Sequence, residues 1–167
     1  PDLQVRKDVV RALGLFRPTG NGLKLVSFME DGEEAIRLAA LKLLVSGHYT
    51  APFSSWSAIL SMEDFSERPV SERRAVFQAI RVTCGDEAVP YWERLLTEWS
   101  WTNRKKKEEL AVLAAESLGK LATPAALSAL ELGSKKGGAA VRQACVHALS
   151  QVQRQQQGKS PADVPHH

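Results

Sequence analysis

Apolar side chains along this 167-residue chain recur with the 3.6-residue period of an amphipathic α-helix in five separate segments. In the last segment Ala144, Cys145 and Ala148 fall on one stripe, and Arg142 lies off it. The five segments are residues 5–13, 36–44, 72–80, 110–118 and 141–149. Because a single amphipathic helix cannot bury its apolar face alone, the pattern predicts helices that pack against one another.

The five segments are also copies of one another, since their first residues are 31, 36, 38 and 31 positions apart. When they are aligned, a small residue occupies one column in four of them, with Leu43 as the exception: Ala12, Ala79, Ser117 and Ala148. A large aliphatic residue follows in every copy. Small side chains on the apolar stripe allow a close approach of neighbouring helices, so the column predicts stacked repeats.

Four further helical stretches lie between the repeat segments, at residues 22–30, 53–64, 87–100 and 124–132. Thr123 followed by Pro124 is a strong start signal for the last of them. Asp86 is the expected N-cap of the third, although Pro90 falls in its first turn. Glycine-containing turns separate the stretches, so the chain is predicted to be all-α, with roughly nine helices in antiparallel pairs.

Two connections are longer than the others, at residues 63–70 and 99–107, and both are predicted to be loops. We expect residues 1–153 to form a single repeat domain and residues 154–167 to form a flexible, Gln-rich C-terminal tail. Because the chain begins with Pro1 rather than Met, we also expect it to be either a processed product or an excised segment of a larger protein.

With these repeats in place, the chain resembles the HEAT-repeat family, especially its short bacterial, phycobilin-lyase-type form. The resemblance rests on the Val-Arg starts of the first and last repeats, at Val5 and Val141, and on the link at residues 118–126. It covers residues 2–153 and implies a right-handed α-solenoid of about five HEAT-like repeats. The family pattern is mainly a packing pattern, so it is informative about architecture and much less so about function.

The resemblance also implies roles for the repeat arginines. An Asp in the turn before a repeat helix commonly pairs with the repeat Arg in this family, and here Asp2 precedes Arg6 and Asp31 precedes Arg37. The fourth repeat departs from the pattern, because Ala111 stands where the Arg would be. For Arg6, Arg37, Arg73 and Arg142 the family pattern favours structural ion pairs over ligand contact.

Composition and charge narrow the choice of environment and partner. A hydrophobic fraction of 44% with 25% charged residues is typical of a folded globular domain. The net charge of +3 is small for a dedicated nucleic-acid binder. No apolar run reaches the roughly 18 residues of a membrane span, so we expect no membrane insertion. The distant cysteines, Cys84 and Cys145, suit a reducing cytoplasm, and Cys145 lies within a buried stripe.

The motifs present in the sequence predict no cofactor, no metal and no enzymatic activity. None of the four histidines has a second His or a Glu at metal-ligand spacing on a helix, and no His-Glu dipeptide occurs. The chain also lacks a phosphate loop, a dinucleotide fingerprint and a nucleophile elbow. His147 beside the apolar stripe of the last repeat is interpreted as a packing or rim residue.

The segment at residues 99–107, in which two tryptophans precede four consecutive cations, is the most function-like feature. It suits stacking on bases with phosphate neutralisation, an aromatic anchor for a protein, or an ordinary solvated loop beside a packed Trp99. The predicted function is protein or peptide binding through the solenoid surface, and the alternative is nucleic-acid binding similar to helical-repeat DNA glycosylases. The predicted binding residues are Trp101, Arg104, Lys105, Lys107 and Arg142.

Overall fold

The structure, a computed structural model, describes residues 2–16, 21–98 and 102–158. Within these ranges every regular element is a helix and no β-strand occurs, which confirms the all-α prediction. The chain separates into two compact units, Pro1–Ala88 and Val89–His167. None of the helices in the described ranges is both long and apolar enough to cross a membrane.

In its described part the first unit consists of α-helices joined by short turns. The helices are α1 (Leu3–Phe16), α2 (Asn21–Ser27), α3 (Glu34–Ser46), α4 (Phe53–Leu60) and α5 (Val70–Cys84). Short 3-10 turns occur at Phe28–Glu30, Phe65–Glu67 and Gly85–Ala88. The repeat helix α3 packs against both other repeat helices, α1 and α5, while α2 and α4 contact each other. Consecutive repeat helices of this unit are therefore direct neighbours.

The second unit contains α6 (Val89–Thr97), α7 (Arg104–Leu121), α8 (Pro124–Lys136) and α9 (Ala139–Gln157). Its two repeat helices, α7 and α9, pack along each other, and the intervening helices α6 and α8 also pack together. Each repeat helix also contacts the helix that precedes it in sequence. The same two-layer relation between repeat and intervening helices is therefore present in this unit.

Local sequence explains several helix boundaries. The Thr123 side chain accepts a hydrogen bond from the Ala126 backbone N–H at 3.3 Å, with proline at the first helical position, so this predicted cap is confirmed. Helix α5 ends at Gly85, whose φ of 56° is readily adopted by glycine. The Asp86 cap is wrong, because Asp86 lies inside a 3-10 turn and α6 begins only at Val89.

The connection predicted at residues 99–107 is partly helical. Helix α7 already begins at Arg104, so the four cations form its first turn rather than a loop. Lys, Arg and Glu are good helix formers, and a polar run can extend a helix whose apolar stripe begins later. Helix α9 continues to Gln157, past the predicted start of the tail, and residues 159–167 lie outside the described residues.

Each unit has its own apolar core. Trp56 in the first unit and Trp92 in the second are both fully buried. The Trp56 indole donates to the Thr83 hydroxyl at 3.0 Å, so its polar atom is satisfied inside the core. In the small-residue column Ala79, Ser117 and Ala148 are buried, as close packing of the repeat helices requires.

Candidate functional site

A surface groove of about 570 Å³ runs between the repeat helices α7 and α9. This volume falls within the range of about 300–1,000 Å³ that is usual for ligand sites. The aliphatic side chains that line it while buried or half-buried are all short: Val112, Ala140, Ala144 and Ala148. The three alanines recur every four residues and thus share one face of α9. Their short side chains leave the groove open.

Polar and charged side chains surround this aliphatic lining. Glu116 and Lys120 lie one turn apart on α7, and His147, Gln151 and Arg154 follow one another along α9. The Gln151 amide donates to Nε2 of His147 at 2.9 Å, so the exposed imidazole is held by its own helix. Lys120 and Arg154 both lie in the last turns of their helices, which makes that end of the groove positive.

The residues predicted from sequence to bind a partner are found elsewhere in the second unit. Arg104, Lys105 and Lys107 are exposed on the first turn of α7, and Arg142 is exposed on the first turn of α9. None of these four side chains lines the α7–α9 groove. Trp101 lies outside the described residues.

Arg104 and Lys107 instead line a small cleft, where they are joined by Lys136 from the end of α8. The last turn of α6 and the first turn of α9 complete it, with Glu98, Glu108 and Val141 among the lining residues. The cleft holds only about 70 Å³. Because small-molecule sites usually exceed about 300 Å³, we interpret this cleft as a packing gap between helix ends rather than a small-molecule site.

The repeat arginines of the first unit connect neighbouring helices. Nε of Arg6 lies 2.9 Å from a carboxylate oxygen of Asp31, in the turn before the next repeat helix. Arg37 donates to both carboxylate oxygens of Glu72 on α5, at 2.6 and 2.9 Å. Hydrogen bonding to Glu72 raises the pKa of Arg37. Arg73 is buried and donates to the Arg68 carbonyl at 3.0 Å, so all three arginines have structural partners.

The family resemblance implied a somewhat different pairing. The Asp31 side chain contacts the arginine of the preceding repeat rather than Arg37. Arg37 reaches only the Asp31 backbone, where Nη1 donates to the carbonyl at 2.8 Å. The first ion pair therefore joins successive repeat helices, with the acid one repeat later than its arginine.

Both cysteine thiols have a raised pKa, which makes them poor nucleophiles. Burial raises the pKa of Cys145 to about 11. Burial also raises the pKa of Cys84, and the hydrogen bond with Thr83 partly opposes that increase. A thiol is reactive as its thiolate, which such environments suppress at neutral pH. In the described part of the chain, no group of three or more His, Cys, Asp or Glu residues is arranged to hold a metal ion.

Sequence reasoning missed most of the groove. It interpreted His147 as a packing or rim residue, and the structure has it at the rim, but it did not assign Val112, Lys120, Ala144 or Arg154 to a binding surface. The available signal was the adjacency of the repeats at 110–118 and 141–149, which places two repeat helices side by side. Which pair of repeat helices leaves space between its side chains depends on packing and was not visible in the pattern.

No family model matches the chain, and no curated protein and no solved structure is significantly similar to it. The likeness to HEAT repeats therefore stays a prediction that rests on the repeated pattern itself.

Proposed function

We propose that the chain is a non-catalytic interaction module of the HEAT-like kind, a short right-handed α-solenoid that binds a segment of a partner protein in the α7–α9 groove. The observation that carries this proposal is the groove itself, about 570 Å³ in volume and lined by short aliphatic side chains. Stacked helical repeats commonly provide extended surfaces for macromolecules rather than enclosed catalytic pockets.

The groove suits an amphipathic helix better than an extended peptide. One common mode for an extended peptide is backbone pairing with a sheet edge, and the described residues contain no strand to offer it. A helix satisfies its own backbone and lays side chains at positions i, i+3, i+4 and i+7 into a groove. The alanines of α9 leave room for aliphatic anchors from such a helix, and exposed Val146 extends the apolar contact.

Charge specifies the partner further. Lys120 and Arg154 at one end of the groove favour a partner helix with an acidic residue at that end. The partner is thus an amphipathic helix with aliphatic anchors on one face and an acidic residue at one end. The proposal requires no cofactor, and the free thiols of Cys84 and Cys145 support a cytoplasmic setting.

The test is selection from a displayed library of amphipathic helical peptides, followed by fluorescence-anisotropy titration of the selected sequences. Ala144→Trp fills the groove and should weaken the selected peptides at least tenfold. Ala125→Trp is the matched control, because Ala125 is an exposed alanine on α8 outside the groove lining. Circular dichroism should show that both variants remain folded.

Two results would contradict the proposal. One is a library that yields no peptide with a Kd below about 100 μM, which corresponds to roughly −5.5 kcal/mol of binding free energy. The other is a set of selected peptides that bind Ala144→Trp as tightly as the unmodified protein. Enrichment of acidic residues at one peptide terminus, together with weakened binding to the Lys120→Glu/Arg154→Glu double variant, would confirm the proposed orientation.

A further inference from the structure

The second unit has a net positive charge because it contains few acidic residues, and many of its cations lie at one end of its helices. This unit contains 11 of the 22 basic residues but only 7 of the 19 acidic residues of the chain. Six exposed cations lie at the end formed by the first turns of α7 and α9 and the last turn of α8, here called the basic end: Arg104, Lys105, Lys107, Lys135, Lys136 and Arg142. Glu98, Glu108 and Glu109 lie at the same end.

The cations of the basic end converge although they are distant in sequence. The 70 Å³ cleft is lined by Arg104 and Lys107 from α7 and by Lys136 from α8, next to Gly138 at the start of α9. Two helix ends, the start of α7 and the end of α8, thus present positive side chains around one point beside the start of α9. A cluster assembled from separate helices is a property of the fold and not only of the four-residue cationic run.

The cations at the starts of α7 and α9 oppose helix stability, whereas Lys135 and Lys136 at the end of α8 favour it. Helix N-termini favour carboxylates, because the helix dipole is positive there. Helix α7 has no acidic residue in its first turn and begins instead with four cations, and the first turn of α9 also lacks an acidic residue. A bound polyanion would reverse this unfavourable electrostatic contribution, which points to an anionic partner.

The surroundings of the basic end favour a phosphate backbone over a protein. Protein contacts need large apolar or aromatic anchors. In the described part of the second unit, Val146 is the only large hydrophobic side chain that is well exposed, and it lines the α7–α9 groove. Nucleic-acid backbones are bound mainly by cations without apolar anchors.

We propose that the basic end binds the phosphate backbone of a nucleic acid without reading its base sequence. This surface is separate from the groove that carries the proposed function. Lys107 and Lys120 are 13 positions apart on α7, which corresponds to about 20 Å along a helix. That distance exceeds the roughly 10 Å over which charges act at 0.1 M salt. The two surfaces can therefore be tested separately.

The experiment measures anisotropy of a fluorescein-labelled 20-base-pair DNA duplex and of a labelled 20-nucleotide single strand between 50 and 200 mM salt. We expect binding whose logarithm falls linearly with the logarithm of the salt concentration, because phosphate contacts release counterions. The Lys135→Glu/Lys136→Glu variant should weaken binding at least tenfold at 100 mM salt and reduce the slope by about two. Lys105→Gln should reduce the slope by about one.

The matched control is Lys120→Glu/Arg154→Glu, which makes the same change in net charge, also in the last turns of helices. It should leave oligonucleotide binding within about twofold while weakening acidic peptides in the groove. No binding at 50 mM salt would overturn the proposal. Equal weakening by both double variants would overturn it too, because the effect would then come from net charge alone. Equal competition by poly-glutamate would reassign the surface to acidic proteins.

Discussion

The two units place different chemistry between their repeat helices. In the first unit, α3 and α5 are joined by a two-point ion pair between Arg37 and Glu72. In the second unit, Ala111 stands at the position of the repeat arginine, and a Cβ added at Gly119 of α7 would lie 2.9 Å from that of Ala148 on α9. The α3–α5 pair thus includes a buried ion pair, whereas the α7–α9 pair makes a close apolar contact at Gly119.

The difference indicates which changes each unit tolerates. Glu72 is fully buried and also accepts a hydrogen bond from Arg68 at 3.4 Å, so two guanidinium groups share this carboxylate. Arg68 has a second carboxylate partner in Asp64, at 3.3 Å. Removing one member of a buried ion pair leaves uncompensated charge in a medium that solvates it poorly. Close contact of small residues carries no charge, but it leaves no space for an added atom. The α3–α5 pair should therefore be sensitive to lost charge, and the α7–α9 pair to added volume at Gly119.

The largest expected effect is that of Glu72→Gln, which retains the shape of the side chain and removes its charge. Because Arg37 and Arg68 lose their shared counter-charge, we expect the free energy of unfolding to fall by about 3–5 kcal/mol. Urea unfolding followed by circular dichroism measures this change. Hydrogen exchange of the buried Trp56 indole should accelerate more than that of Trp92, since Trp56 lies in the same unit as Glu72.

Glu131→Gln provides the comparison for that variant. Glu131 is an exposed carboxylate on α8, and its loss should change stability by less than about 0.5 kcal/mol. If the free energy of unfolding of Glu72→Gln also lay within about 1 kcal/mol of that of the unmodified protein, the ion pair would contribute little to the α3–α5 contact.

The next effect concerns added volume in the second unit. Gly119→Ala raises helix propensity by about 1 kcal/mol but places its methyl group against the Ala148 Cβ, which is fixed to the backbone and cannot rotate away. We expect a net loss of about 1–2 kcal/mol in urea unfolding, because α7 and α9 must separate.

Gly32→Ala is the control for this close approach, because a Cβ at Gly32 meets nothing within 4 Å. It should leave the free energy of unfolding nearly unchanged. A Gly119→Ala protein that is more stable than the unmodified one would show that helix propensity outweighs the contact and that the two repeat helices are not tightly packed.

The sequence predicted the positions of the helices better than the contacts between them. Periodicity located all five repeat helices, because burial of an apolar stripe dominates helix placement. It could not identify Glu72 as the partner of Arg37, since the two are 35 residues apart and many carboxylates are available. The start of α7 at Arg104 was also missed, because a cationic run without apolar residues has the composition of both a loop and a helix end.

The candidate sites were less predictable than the fold. The cationic run was recognised as a feature, but its convergence with Lys136 depends on three helix ends meeting in space. The α7–α9 groove arises from short side chains at Ala140 and Ala144, and alanine is equally common in tight interfaces. A small residue in a sequence therefore predicts close approach or open space, and only packing distinguishes the two.

The smallest expected effect compares the two thiols at alkaline pH. Burial raises the pKa of Cys145 from 9.0 to about 11, so folding favours the neutral thiol. This contribution is complete below pH 9 and is lost as the pH rises through about 11. The advantage of the unmodified protein over Cys145→Ala should therefore decline steadily across that window.

Urea unfolding at pH 8, 9, 10 and 10.5 measures the decline, and the difference from Cys145→Ala cancels the titration of lysines and tyrosines common to both proteins. Cys84→Ala tests the first unit in the same way. Because its hydrogen bond with Thr83 opposes the effect of burial, Cys84 should show a shallower decline. Parallel pH profiles for both variants would mean that the thiol of the second unit is no better shielded from water than that of the first.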